Sequence, residues 1–312
     1  MIRPSTNPPS AYRRVAVLCG GFSKEREISL VSGHAALRAL TAKGFDATLI
    51  DVTRDISALV AALTTSRPDV VFNALHGRFG EDGCIQGLLD MIGIPYTNSG
   101  RLASAAAMDK PMAKRLFATA GIPVAEERVI TCAEAAQGDV MPRPYVLKPV
   151  NEGSSVGVKI VRAGDNHPPL DDLGLAPNDL IMAERFIPGR EVTVAVMGDA
   201  ALAVTEITTG RDFYDYEAKY AVGGSTHILP APLEPVLYAR ALELSLAAHR
   251  VLGCRGVSRA DLRLDGKDFT MLEVNTQPGL TPTSLVPEQA AHIGLTFADL
   301  IVWMVEHAKC DA

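Results

Sequence analysis

Glu273 and Asn275 stand two positions apart in the run Met271-Leu272-Glu273-Val274-Asn275-Thr276-Gln277-Pro278-Gly279. On an extended strand that spacing puts a carboxylate and an amide on one face. Just upstream, Ser258-Arg259-Ala260-Asp261-Leu262-Arg263-Leu264 alternates in the same way, with Ala260, Leu262 and Leu264 on one side and Arg259, Asp261 and Arg263 on the other. Asp265-Gly266 between the runs is a hairpin signal. Paired strands would gather Asp261, Glu273 and Asn275 into an all-oxygen cluster beside the Arg259 cation, a donor set suited to Mg²⁺ holding the phosphates of a nucleotide. A two-stranded edge with a polar outer face accounts for the same alternation without chemistry. Asn, however, is disfavoured in strands, so Asn275 asks for a reason.

A second group lies in the middle of the chain. Tyr145-Val146-Leu147-Lys148-Pro149 reads as a strand ending in Lys148, and residues 156–161 as a strand leaving. Between them, Asn151-Glu152-Gly153-Ser154-Ser155 offers a glycine, two hydroxyls and free backbone N–H groups that can fold over phosphate oxygens as a lid. An ordinary hairpin loop has the same composition. Neither GxxxxGK[ST] nor GxGxxG occurs, which excludes a Walker P-loop and a dinucleotide turn. Lys148 is placed to pair with phosphate.

The elements that position these residues follow from hydrophobic period. Residues 15–19 read as a buried strand, Gly20-Gly21 as a tight turn, and residues 25–43 as a helix stopping at Gly44. The unit repeats with a strand over 47–52, a helix over 56–65 and a strand over 69–75 that delivers His76-Gly77 at its carboxyl end, where open α/β sheets bind ligands. A short helix over 85–91 and Ile94-Pro95-Tyr96 complete it. An Ala-rich helical stretch over 103–120 marks a change of character, so a boundary is placed near Gly100. With 312 residues, 47% of them hydrophobic, the chain can build two or three cores. A net charge of −6 disfavours an electrostatic nucleic-acid binder. The five cysteines are scattered without metal-ligand spacing, as suits reduced thiols in a cytosol. Residues 1–13 read as a loose tail, and no apolar run approaches the roughly 20 residues that span a bilayer, so a soluble, cytoplasmic protein is expected.

Taken together these residues resemble the D-alanine–D-alanine ligases of the ATP-grasp superfamily. The resemblance is carried by Gly20-Gly21-Phe22-Ser23-Lys24-Glu25-Arg26-Glu27-Ile28-Ser29-Leu30, by Leu75-His76-Gly77 with Gly80-Glu81-Asp82-Gly83, and by Met108-Asp109-Lys110. It continues through Lys148-Pro149 with Glu152-Gly153-Ser154-Ser155-Val156-Gly157, and Phe213-Tyr214-Asp215-Tyr216-Glu217-Ala218-Lys219-Tyr220. It closes with Gly256 to Asp261 and Glu273-Val274-Asn275-Thr276. These blocks run in family order over about residues 13–308. The chain departs from the pattern at Arg211-Asp212, at Ala221-Val222-Gly223-Gly224 and at Gln277.

The resemblance implies an α/β protein, α+β in its central and C-terminal parts: an ATP-grasp fold preceded by a Rossmann-like parallel-sheet domain. The implied division is an N-terminal substrate domain over 1–101, a central lid domain over 102–186 and a C-terminal catalytic domain over 187–312. It implies ATP with Lys110 and Lys148 on its phosphates, Glu152, Ser154, Ser155 and Lys219 also binding it, Glu191 on the ribose and Glu184 accepting from the adenine amino group. Asp261, Glu273 and Asn275 would hold two Mg²⁺ ions, for which Mn²⁺ can substitute. Glu25, linked to Ser154 and Tyr220, would bind the ammonium of the first D-alanine, with His76 near its carboxylate. Arg259 and the N–H of Gly279 would stabilise the oxyanion, and Ser284 and Leu285 would meet the second D-alanine. Tyr220 favours a dipeptide product. A homodimer with no nucleic-acid or membrane partner completes the expectation. The alternatives are a D-alanine–D-lactate or other ATP-grasp carboxylate–amine ligase, and a silent nucleotide-binding module. The last would be expected to lack Arg259, Glu273 or Lys148, and all three are present.

Overall fold

The computed structural model describes residues 11–153, 157–165, 175–209, 224–281 and 283–311, and three sheets organise them. The first unit runs β1 (Arg14–Gly20), α1 (Arg26–Ala42), β2 (Asp46–Val52), α2 (Ile56–Ser66), β3 (Val70–Asn73) and α3 (Cys84–Ile92), with the parallel strand order β2-β1-β3. A continuous apolar run makes β1 a strand buried on both faces. Val15 and Val17 enter one core with Ala36 and Leu40 of α1, while Ala16 and Leu18 enter another with Leu59 and Leu63 of α2. β3 stops at Asn73, two residues short of the expected strand, because the Asn73 side chain accepts from Leu75 N–H at 3.1 Å and turns the chain.

The expected helical stretch over 103–120 is two helices, α4 (Arg101–Met108) and α5 (Lys110–Thr119). Asp109 breaks it by taking an extended backbone and accepting Met112 N–H at 2.9 Å, an N-cap with Pro111 in the first turn. The break makes Lys110 the first residue of α5. Next come β4 (Glu127–Thr131), α6 (Cys132–Ala135), β5 (Tyr145–Pro149), β6 (Lys159–Val161) and β7 (Leu180–Arg185), forming an antiparallel sheet of order β4-β7-β5-β6.

The third sheet contains β8 (Arg190–Met197), β9 (Ala200–Thr208), β10 (Thr226–Ile228), β11 (Val257–Asp265) and β12 (Asp268–Asn275), with α7 (Pro235–Val251) before β11. Ala113 and Phe117 of α5 share its core with Val194, Leu262 and Met271. The chain closes with α8 (Leu285–His292) and α9 (Phe297–Glu306). Leu300, Ile301 and Met304 of α9 return to the core of the first sheet. Asp265 pairs with Asp268 across a turn whose central residues are Gly266 and Lys267, with Gly266 at φ +63°. Asp261 pairs with Glu273 and Leu262 with Met271, so Leu272 is an extra residue that bulges β12.

Candidate active site

The β11–β12 hairpin gathers the residues that alternation selected: Arg259 lies opposite Asn275 and Asp261 opposite Glu273. Arg259 forks onto Asp261, donating from Nε to Oδ1 at 2.9 Å and from Nη2 to Oδ2 at 2.8 Å. Thr193 Oγ1 adds a donor to Asp261 Oδ1 at 2.7 Å. Glu273 is more open, and its Oε2 lies 3.9 Å from Lys110 Nζ. Asn275 Oδ1 accepts from Gln277 N–H at 2.8 Å, which leaves a second lone pair for a ligand. Among the described residues no three His, Cys, Asp or Glu side chains converge on one point. The cluster is two carboxylates and an amide, an all-oxygen set that fits a hard cation retaining other ligands, as Mg²⁺ does.

Beside the hairpin lies a cavity of about 290 Å³, bordered by Glu25, His76, Glu81, Arg259, Gly279 and Ser284 among others. Glu25 is the N-cap of α1, one residue ahead of the first turn expected for it, and is 6% exposed. Ser23 fixes the approach, accepting Glu25 N–H at 3.1 Å and donating to His76 O at 2.7 Å. Gly77, at φ +70°, has to be glycine, since a Cβ there would stand 2.3 Å from Glu25 Oε2. His76 Nε2 lies 3.2 Å from Ser32 Oγ, and burial pulls the imidazole down to about 4, so it is neutral at pH 7.

Glu81 was part of a motif without an assigned role. Burial, and then the charge of Glu25, push its carboxyl well above the usual carboxylate range, and its Oε2 has no hydrogen-bond partner among the described residues. On the far wall Ser284 is the N-cap of α8 yet makes no capping bond; its Oγ accepts Thr281 N–H at 3.1 Å and lies 2.7 Å from Thr281 Oγ1. Leu285 follows as the buried first residue of α8. His227 of β10 also borders this cavity, its Nδ1 2.7 Å from Glu288 Oε2, and nothing in the sequence pointed to it.

A second cleft, of about 100 Å³, lies between the four- and five-stranded sheets, with Lys110, Lys148, Glu184, Glu191, Asp261 and Glu273 on its walls. Lys110 Nζ donates to the carbonyl of Glu152, the residue expected to border the nucleotide. Glu191 accepts from Arg263 Nη1 at 3.2 Å. Glu184 Oε2 accepts from Lys148 Nζ, and its Oε1 from Lys114 Nζ at 2.6 Å. Burial works against charge on both partners. For Lys148 the Glu184 carboxylate outweighs it and the ammonium pKa is raised; for Glu184 the two lysines outweigh it and the carboxyl pKa is lowered.

Sequence reasoning missed Lys114, although its spacing of four from Lys110 on a helix was a usable signal. Gln277, read as a departure from the family pattern, joins the hairpin to the first unit. Its Oε1 accepts from Asn98 Nδ2 at 2.6 Å and its Nε2 donates to Asn73 O. Ser154, Ser155, Lys219 and Tyr220 lie outside the described residues. Among the described residues no helix is long and apolar enough to cross a membrane.

Two antiparallel sheets closing on a lysine-lined cleft, behind a parallel-sheet unit, are the architecture of the ATP-grasp ligases. The family models described as D-ala D-ala ligase N-terminus and C-terminus match residues 56–99 and 116–306. A D-alanine–D-alanine ligase of Rhodospirillum rubrum is 61% identical over 300 residues, spanning 96% of this chain and 99% of that protein. Among solved structures, the D-alanine–D-alanine ligase of Bacillus anthracis complexed with ATP aligns with a TM-score of 0.79 at 28% identity, over 96% of this chain and 97% of that one. VanG, a D-Ala:D-Ser ligase of Enterococcus faecalis, aligns with a TM-score of 0.78 at 28% identity, over 94% of this chain and 98% of its own. The chain belongs to the D-alanine–D-alanine ligase family.

Proposed function

We infer that this chain joins two D-alanines into D-alanyl-D-alanine at the expense of ATP, releasing ADP and phosphate and supplying peptidoglycan precursor synthesis. One observation carries the reading at the level of the site: Lys110, Glu152 and Glu273 border both the acid-lined cavity and the lysine-lined cleft. A carboxylate held in the first and a γ-phosphate held in the second would therefore meet at one seam, and phosphoryl transfer depends on such positioning and on charge neutralisation.

In this reading Glu25, with Ser154 and Tyr220, binds the ammonium of the first D-alanine, and neutral His76 lies near its carboxylate. A carboxylate oxygen bonds to the γ-phosphorus as the bond to the ADP oxygen breaks, giving an acyl phosphate. Lys110 and Lys148 face the phosphates, Glu152, Ser154 and Ser155 line the loop over them, Lys219 also binds the nucleotide, Glu191 meets the ribose and Glu184 the adenine amino group. Asp261, Glu273 and Asn275 would hold two Mg²⁺ ions, or Mn²⁺ in their place, which supply neutralisation of phosphoryl charge. The amine of the second D-alanine, held near Ser284 and Leu285, loses a proton and bonds to the acyl carbon. Arg259 and the Gly279 N–H face the oxyanion, and phosphate leaves with its electron pair.

The likeness to VanG gives a second reading, with another D-configured acceptor. The higher identity to the Rhodospirillum rubrum protein favours D-alanine. ADP release followed with D-alanine, L-alanine, and D-alanine plus D-serine or D-lactate separates the two: D-alanine alone is expected to sustain full turnover. Release only when a second acceptor is added would favour the other ligase. The division into 1–101, 102–186 and 187–312 is supported by the three sheets, although α5 of the middle segment packs on the last sheet. A homodimer and a cytoplasmic location rest on the family resemblance alone.

A further inference from the structure

Lys114 is more deeply buried than the two described lysines assigned to the nucleotide, its side chain 2% exposed against 9% for Lys110 and 12% for Lys148. An ammonium so far from water has to be neutralised. Its partners come from the four-stranded sheet: Glu184 Oε1 of β7 at 2.6 Å, and Glu127 Oε2 of β4 at 3.0 Å, an ion pair without hydrogen-bond alignment. Glu127 and Glu184 are direct cross-strand partners, a like-charge pair that would repel without a cation between them. Helix α5 thus carries Ala113 and Phe117 in the core of the five-stranded sheet and Lys114 on two strands of the four-stranded one.

Glu184 is held on both oxygens by lysines, and the two lysines are not equivalent. Lys148 borders the cleft, whereas Lys114 stands behind it. Where Lys148 turns from Glu184 to a phosphate, a buried carboxylate left with no other cation would make that exchange strongly unfavourable. Lys114 removes the obstacle, because Glu184 keeps one cation while Oε2 is released toward the adenine amino group.

We propose that Lys114 is a positioning residue for nucleotide binding, holding the Glu184 carboxylate so that Lys148 can exchange Glu184 for a phosphate of the nucleotide. The inference rests on the reading above that places ATP in this cleft with Lys148 on its phosphates.

The test is calorimetric titration of the full chain with ADP, alongside KM values for ATP and D-alanine. Lys114→Met is expected to weaken ADP binding by about tenfold or more and to raise KM for ATP in step, with KM for D-alanine within about twofold of wild type. Lys114→Arg, which keeps the cation, should retain ADP affinity within about threefold. If Lys114→Met does not fold, Lys114→Met with Glu127→Gln takes its place: it removes one charge of each sign, leaves the Lys148–Glu184 pair intact, and is expected to lose ADP affinity to the same degree. ADP binding within about twofold of wild type in either Met variant, or loss of affinity for ADP and D-alanine alike, overturns the proposal. Lys148→Met in the same titration separates the two levels. Weak ADP binding there with normal binding in Lys114→Met sinks this inference alone, whereas normal binding in Lys148→Met sinks the placement of the nucleotide and the inference with it.

Discussion

Burial acts on Glu81 and on Glu184 to a similar extent, 7% and 2% exposed, yet their carboxyls move in opposite directions. In the acid-lined cavity, Glu81 has Glu25 for a neighbour, and its carboxyl is pushed up. In the lysine-lined cleft, Glu184 has Lys148 and Lys114, and its carboxyl is held down. Desolvation alone raises both, so the neighbouring charge decides the sign. The difference describes two complementary receptors. One region sets two buried carboxyls side by side, a pair that an ammonium group would relieve; the other holds lysines paired with a buried carboxylate. Where the two meet, at Lys110 and Glu273, a weak ion pair at 3.9 Å marks the seam.

The largest effect should come from the seam itself. Glu273→Gln removes a charge from the oxygen cluster and is expected to cut turnover by about two decades or more while leaving the melting temperature within a few degrees. Activity near wild type at saturating Mg²⁺ would contradict the role given to the hairpin.

Histidine burial gives the next effect. His76 and His249 are both pulled down to about 4 by burial. The unfolded chain therefore takes up protons on them as pH falls below 6.5 while the native state does not. Stability is full above pH 6.5 and is lost between 6.5 and 4, by about 3 kcal/mol for a fully buried histidine shifted this far. Urea unfolding of His76→Asn should lose measurably less stability over that window than wild type; an unchanged pH slope would show that His76 is not buried as a neutral ring.

For Glu81 the sign is opposite. Its raised carboxyl pKa means that the native state holds a proton which the unfolded chain releases above about pH 4.5. The ligand-free protein should therefore lose stability as pH climbs from that value through the native pKa. Glu81→Gln should gain more in melting temperature at pH 8 than at pH 5. An equal change at both would show that the Glu81 carboxyl is not raised in the native state, and the contrast between the cavities would fail. The smallest effect belongs outside both regions: Asp55→Ala removes the cap bond to Ala58 N–H at 2.9 Å and should lower stability by about 1 kcal/mol without moving any KM. A shift in KM would mean that α2 is coupled to the site.

Period and spacing were enough to read the hairpin, because its face alternates cleanly and Asp265-Gly266 announces the turn. The buried run of β1 was equally plain. Missed features came from side chains acting against local pattern. Asp109 splits an alanine-rich stretch that looks like one helix, since its carboxylate caps α5. Asn73 ends β3 early by bonding its own chain. Spacing from Lys110 hints at Lys114 but not at its task, because its partners, Glu127 and Glu184, meet only when β4 pairs with β7. Glu81 stood within a motif, but its unusual state depends on Glu25 approaching from another element. Spacing finds residues that share an element; it does not find those that share only a neighbour.

The most direct test of the two-receptor account is product analysis at pH 6 and pH 8, with D-alanine alone and with D-lactate added. An ammonium site built on Glu25 should reject a first substrate without an amine, because the buried carboxylate would then lose that charge partner. D-alanyl-D-alanine is expected as the main product under all conditions, with more at pH 8, where a larger share of the second amine is unprotonated, and no product carrying lactate at its first position. D-lactyl-D-alanine in the mixture would contradict the ammonium site, and dominant D-alanyl-D-lactate at both pH values would overturn the dipeptide ligase.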